Sequence, residues 1–160
     1  MGGFFSQPNK DYRNMQLVFT YLTVNFIFPS LGYYFLPEFA YGEFLRIGDL
    51  LGAGPYPLPD ENSYLWRTLG AGNVLTLATL CFWMQRDIRK WPHLAPVFYV
   101  LKSSSAVGFL YVYVFKLHYL TFLAVFFYDG LAVVLVWYFG GKAWRSLANS
   151  ETATLVPKLP

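Results

Sequence analysis

Lys102 and Asp129 are the residues whose types and positions could do chemistry. Each interrupts a long run that is otherwise free of charge, 94–115 for the lysine and 120–139 for the aspartate. A charge at the centre of a membrane span costs about 2.5–3.5 kcal/mol on insertion scales, so such groups face a bundle interior and find partners. A short connection around Lys116–Tyr119 makes the two runs an antiparallel hairpin. At about 1.5 Å per residue, Lys102 lies roughly 12 Å and Asp129 roughly 15 Å from the same edge, so they can meet. Side chains on antiparallel helices lean in opposite directions, which favours a bridging water or hydroxyl. Asn25 lies at similar depth in the first run, and Ser103, Ser105 and Thr76 could join the cluster.

Three roles fit such a site. An ion pair can fix helix register without adding much stability. A few polar groups among aromatic walls suit a lipid, a quinone or a similar amphiphile. A carboxylate at depth can also relay protons or ions.

Other chemistry is sparse. Arg86, Arg89 and Lys90 form a basic cluster suited to lipid headgroups. His93 and His118 sit at the edges of the third run, where they are poorly placed to ligate haem or a chlorin. Cys81 is the sole cysteine, which excludes an internal disulfide and CxxC schemes, and its apolar neighbours imply a buried, inert thiol. No phosphate-binding glycine loop, HExxH, Gly-x-Ser-x-Gly or carboxylate pair at membrane-facing depth occurs, so no residue is assigned to catalysis or to a metal. A net charge of +3 gives no reason to expect nucleic acid.

The elements that position these residues follow from composition. The chain is 56% hydrophobic and 13% charged, against about 25% charged for soluble domains. It reads as an all-α integral membrane protein, a bundle of four transmembrane helices. Spans are expected near 15–36, 65–85, 94–115 and 120–140. An N-terminal segment of residues 1–14, an outer loop 37–64 and a tail from 146 to 160 complete the chain. Pro29 should kink the first span. Gly70, Gly72 and Ser103–Ala106 should allow close helix packing. Tyr64, Trp66, Trp83, Trp91, Trp137, Tyr138 and Trp144 mark the interfaces.

The outer loop mixes Phe39, Phe44, Leu45, Ile47, Leu50 and Leu51 with Glu43, Arg46 and Asp49. That pattern predicts a short amphipathic interfacial helix over about 41–51. Gly52 and Gly54 end it, Pro55, Pro57 and Pro59 extend the chain, and Asn62 or Ser63 caps the second span. The tail after Ser150 should be extended. The first span is too long for a signal-peptide core and lacks a cleavage site. Met1–Ser6 matches a myristoylation pattern only weakly.

Lys10 and Arg13, then Arg86, Arg89 and Lys90, then Lys142, Arg145 and Lys158 fall on one side of a four-span layout. Glu38, Glu43, Asp49, Asp60 and Glu61 fall on the other. The positive-inside rule therefore puts both termini on the cytoplasmic side of a bacterial inner membrane, or the equivalent face of an organelle inner membrane. The expected function is a non-catalytic subunit of a larger, energy-transducing (respiratory or photosynthetic) membrane complex. It would pack against membrane lipids and other integral membrane subunits. No intrinsic cofactor is expected, though lipid, quinone or pigment could lie at helix surfaces. The alternative is a small stand-alone transporter, or a quinone- or lipid-binding protein, using the Lys102–Asp129 site.

Overall fold

The computed structural model describes residues 9–56 and 64–155, with side chains described for 9–56 and 70–149. Among the described residues the chain is all helical: α1 Lys10–Phe35, α2 Pro37–Leu50, α3 Tyr64–Arg86, α4 Leu94–Phe115 and α5 Leu120–Leu155. Among the described residues three helices are long and apolar enough to cross a membrane: α1, α4 and the Leu120–Asn149 part of α5.

Caps, rather than hydropathy, set several boundaries. Asn9 accepts from the backbone N–H groups of Asp11 (2.9 Å) and Tyr12 (3.4 Å), so α1 begins at Lys10, ahead of its apolar core. The helix continues through Pro29, which lies exposed on its outer side, to Phe35. Only Leu36 separates α1 from α2. Pro37, with its φ preset for a helix, starts α2 there rather than at Tyr41. At the far end Gly52 adopts φ +74°. The Ala53 N–H reaches the Gly48 carbonyl at 2.9 Å and the Gly52 N–H reaches that of Asp49 at 3.0 Å. This is the left-handed glycine stop of a Schellman motif.

α5 corrects the expectation of an extended tail, because it stays helical to Leu155. Ala143, Trp144 and Leu147 carry its packing past the apolar run. No proline or glycine interrupts the chain between Lys142 and Leu155. Expectations placed on Met1–Ser6, Pro57, Pro59, Asp60, Glu61, Asn62, Ser63 and Lys158 lie outside the described residues, as do the side chains of Tyr64 and Trp66.

α1 and α3 each bury one stripe at helical spacing. On α1 it is Tyr12, Met15, Phe19, Leu22, Phe26 and Ser30. On α3 it is Ala71, Ala78, Cys81, Met84 and Gln85. α1 lies between α3 and α5, α4 packs along α5, and α2 lies across α1 and α5. α3 is antiparallel to α1 and is bonded to it at both ends. The Gln16 amide donates to the Gln85 carbonyl (3.1 Å) and the Ser30 hydroxyl to that of Ala71 (3.1 Å). A β-carbon on Gly140 would stand 3.2 Å from the Met15 methyl, which brings the start of α1 beside the late part of α5. α3 and α4 meet sparsely. Near their connecting turn, Trp83 and Trp91 stack with centroids 5.6 Å apart.

Candidate functional site

Lys102 belongs to the buried stripe of α4, with Ala95, Phe98 and Ala106. Asp129 sits on the buried face of α5, with Ala132, Val136 and Ala143. Both are core positions on their helices, and side-by-side packing of α4 and α5 brings them into direct contact. Lys102 Nζ donates to Asp129 Oδ1 at 2.6 Å, with the residues 5% and 3% exposed. No bridging group is needed, because the flexible four-carbon stem of lysine spans the offset between antiparallel helices. A third helix completes the site: Nζ stands 4.2 Å from the centroid of the Phe26 ring on α1. Phe26 in turn tilts against Phe98, one turn from Lys102, at 6.4 Å.

The polar residues expected beside the pair go elsewhere, apart from Ser105. Asn25 is half-buried and donates to the Tyr21 carbonyl of its own helix (2.9 Å). Thr76 is exposed and donates to the Gly72 carbonyl (2.9 Å). Both satisfy themselves within one helix, as short polar side chains do when no partner is offered across an interface. Ser103 is exposed on the outer side of α4. Ser105 lines a cavity together with Lys102.

The basic cluster lies at the α3–α4 turn, where Arg86, Arg89 and Lys90 are exposed. Asp87 Oδ1 holds that turn, accepting from the backbone N–H of Arg89 (3.0 Å) and Lys90 (3.2 Å). The Tyr12 hydroxyl donates to the same oxygen (3.3 Å) and accepts from the buried Ile88 N–H (3.1 Å). Arg89 lies over the Tyr12 ring, with its guanidinium carbon 5.6 Å from the centroid. Cys81 is fully buried, and His93 and His118 are exposed. Among the described residues no group of three or more His, Cys, Asp or Glu side chains could hold a metal ion.

Phe26, Tyr33 and Asn73 were not anticipated at the site. The signal for Phe26 was present, since Phe19, Leu22 and Phe26 share one face and leave Asn25 to the side. Asn73 on α3 and Tyr33 on α1 border the space left by the sparse contact of α3 and α4, an open-sided cavity of about 680 Å³. Lys102 lines this cavity, with Tyr33, Asn73, Ser104 and Ser105 as further polar residues and Val74, Leu77 and Phe109 among its apolar walls. Asp129 is not among the lining residues. A second cavity, about 620 Å³, lies among the end of α1, α2 and the start of α5 and is mainly apolar.

Chemically, the pair is charge-balanced. The ammonium has three donors and gives one to Asp129, so donor capacity remains on a residue that lines the cavity. No protein-family model matches the chain, no curated protein matches it, and no solved structure matches it.

Proposed function

We propose that the chain is a four-span integral membrane protein acting as a non-catalytic subunit of a larger membrane complex. α3 supplies the fourth span. Its 23 residues reach about 34 Å at the helical rise, enough for a hydrocarbon core of about 30 Å. The outward faces support embedding in lipid, with Phe28, Val100, Phe127, Leu131 and Trp137 among the exposed large side chains. Soluble monomers rarely expose contiguous apolar surface on that scale. α2 then lies at the interface, with Phe39 and Leu50 turned outward and the Glu43–Arg46 pair in contact with headgroups or water. Lys10, Arg13, Arg86, Arg89, Lys90, Lys142 and Arg145 gather at the opposite end, which supports placing both termini on the cytoplasmic side of an inner membrane.

One observation carries the subunit reading: the outer face of α4 is small and polar at mid-depth. Ser103 and Gly108 are exposed there, and Ser104, which also lines the α3–α4 cavity, is exposed at its edge. A β-carbon on Gly108 would meet nothing within 4 Å. Packing within this chain therefore does not require glycine there, although glycine costs a helix about 1 kcal/mol relative to alanine. Ser104 and Gly108 form a small-xxx-small pair, which lets a second backbone approach closely and bond to the hydroxyls. A partner helix accounts for both features.

Mild extraction from the source membrane and native gel electrophoresis test this. The wild-type chain should migrate with other integral membrane proteins. Gly108→Leu, which has open space to occupy, should fold normally and migrate free of them. Wild-type migration as a small monomer overturns the reading.

A further inference from the structure

The α3–α4 cavity combines features that point to a particular class of ligand. It is about 680 Å³, within the roughly 300–1,000 Å³ typical of small-molecule sites. Gly70 borders it, and a β-carbon there would meet nothing within 4 Å, so a missing side chain helps to keep the space open. The polar residues of its lining are Lys102, Tyr33, Asn73, Ser104 and Ser105. The rest of the lining is mainly apolar.

Charge decides what can bind. Lys102 is the one basic residue among the lining residues, and its charge is already matched by Asp129 at 2.6 Å. A phosphate or free carboxylate would enter a neutral site and meet the field of Asp129 without a spare cation. A cationic group would face the ammonium. A neutral acceptor meets neither penalty and can take the donor capacity that Lys102 retains. Asn73, Tyr33 and Ser105 can add further donors.

We infer that this cavity binds a neutral amphiphile through a carbonyl oxygen that accepts a hydrogen bond from Lys102, with its apolar part along Val74, Leu77 and Phe109. The carbonyl can belong to a quinone ring or to a glycerolipid ester. The site rests on the membrane-embedded reading but not on the partner complex, and it is measured on the isolated chain.

The test is equilibrium binding to the purified full chain in a maltoside detergent, which carries no carbonyl. The probes are decylbenzoquinone, dioleoylglycerol and oleate. At least one neutral probe should bind saturably at one per chain, and which one binds identifies the source of the carbonyl. Oleate should bind about tenfold more weakly or worse. Gly70→Phe fills the open space and should weaken binding by about tenfold or more. Ser105→Leu, further along the same cavity, should weaken it in the same direction and serves as the readout if Gly70→Phe does not fold. The inference is overturned if neither neutral probe saturates. It is also overturned if oleate binds as tightly as the better neutral probe, or if the folded cavity variants bind like wild type.

Discussion

Lys102→Met should destabilise the bundle more than Asp129→Leu, although both break the same contact. Removing one partner of a buried ion pair costs about 3–5 kcal/mol, because the survivor is left uncompensated. The structure makes the two survivors unequal. Asp129 is 3% exposed and has Lys102 as its hydrogen-bond partner. Without the lysine it stays buried on the face of α5 that it shares with Ala132 and Val136, its charge unmatched. Lys102 borders the cavity and lies over Phe26 at 4.2 Å. Without the aspartate it keeps the cation–π contact, worth about 0.5–2 kcal/mol, and it can be hydrated from the cavity.

The full 3–5 kcal/mol should therefore appear for Lys102→Met, and roughly 1–2 kcal/mol less for Asp129→Leu. The double variant should recover most of the loss, since replacing a buried pair with apolar residues is often neutral or stabilising. Reversible unfolding of the four proteins in detergent, followed by far-UV circular dichroism, gives the cycle. Interhelical hydrogen bonds in membrane proteins average only about 0.6 kcal/mol by such cycles. Single-variant losses near that value would show the pair to be well solvated and refute the reasoning. An equal or reversed order of the two singles would refute the asymmetry, and additivity would refute the coupling.

Further expectations concern the rest of the bundle. A β-carbon on Gly48 would overlap the Tyr119 hydroxyl, so Gly48→Ala should displace Tyr119 and loosen α2, costing about 1–3 kcal/mol as an overpacked contact. Hydrogen exchange in α2 should rise, and unchanged protection would count against the docking described here. Tyr12→Phe leaves the buried Ile88 N–H without its acceptor and should cost about 1–3 kcal/mol in the same unfolding assay. A loss near zero would mean that the turn rearranges freely. With Cys81 replaced by alanine, single cysteines at Ala53 and Lys90 should label from opposite sides of the membrane. Labelling from one side would defeat the four-span topology.

The ion pair was legible in the sequence because hydropathy and helical rise act together. A charge in an apolar run must be inside, and two of opposite sign at matched depth in one hairpin have few other places to go. The bounds of α4 were legible for a similar reason, with Pro92 and His93 before it and Lys116 after it. The surroundings of the pair were read less well. Polarity and depth selected Asn25, whereas periodicity puts Phe26 on the buried stripe and leaves Asn25 to bond its own helix. Thr76 went the same way. Gly70 was read as a close-packing residue and instead borders empty space. Whether a small residue marks an intimate contact or a gap depends on which helices are neighbours, and local pattern does not encode that. The start of α2 at Pro37 and the extension of α5 to Leu155 were missed because hydropathy marks where a helix is apolar, while caps and propensity mark where it stops.

The pair also raises a question that stability cannot answer. Two apolar residues of similar size at positions 102 and 129 would fold as well as the ion pair or better, because desolvating both charges offsets most of their attraction. A stripe that is otherwise Ala95, Phe98 and Ala106 therefore carries lysine for some other reason. Register is one candidate, but α4 is already aligned on α5 by ring contacts such as Phe109 with Phe122, whose centroids are 6.1 Å apart. The position of Lys102 in the lining of a cavity is an observation that register does not explain. The double variant separates the two. If it folds and still binds the neutral probe like wild type, Lys102 is a structural relic of helix pairing. If it folds and binding falls, the lysine is held in the core because it has a donor to offer the cavity, with Asp129 making that charge tolerable.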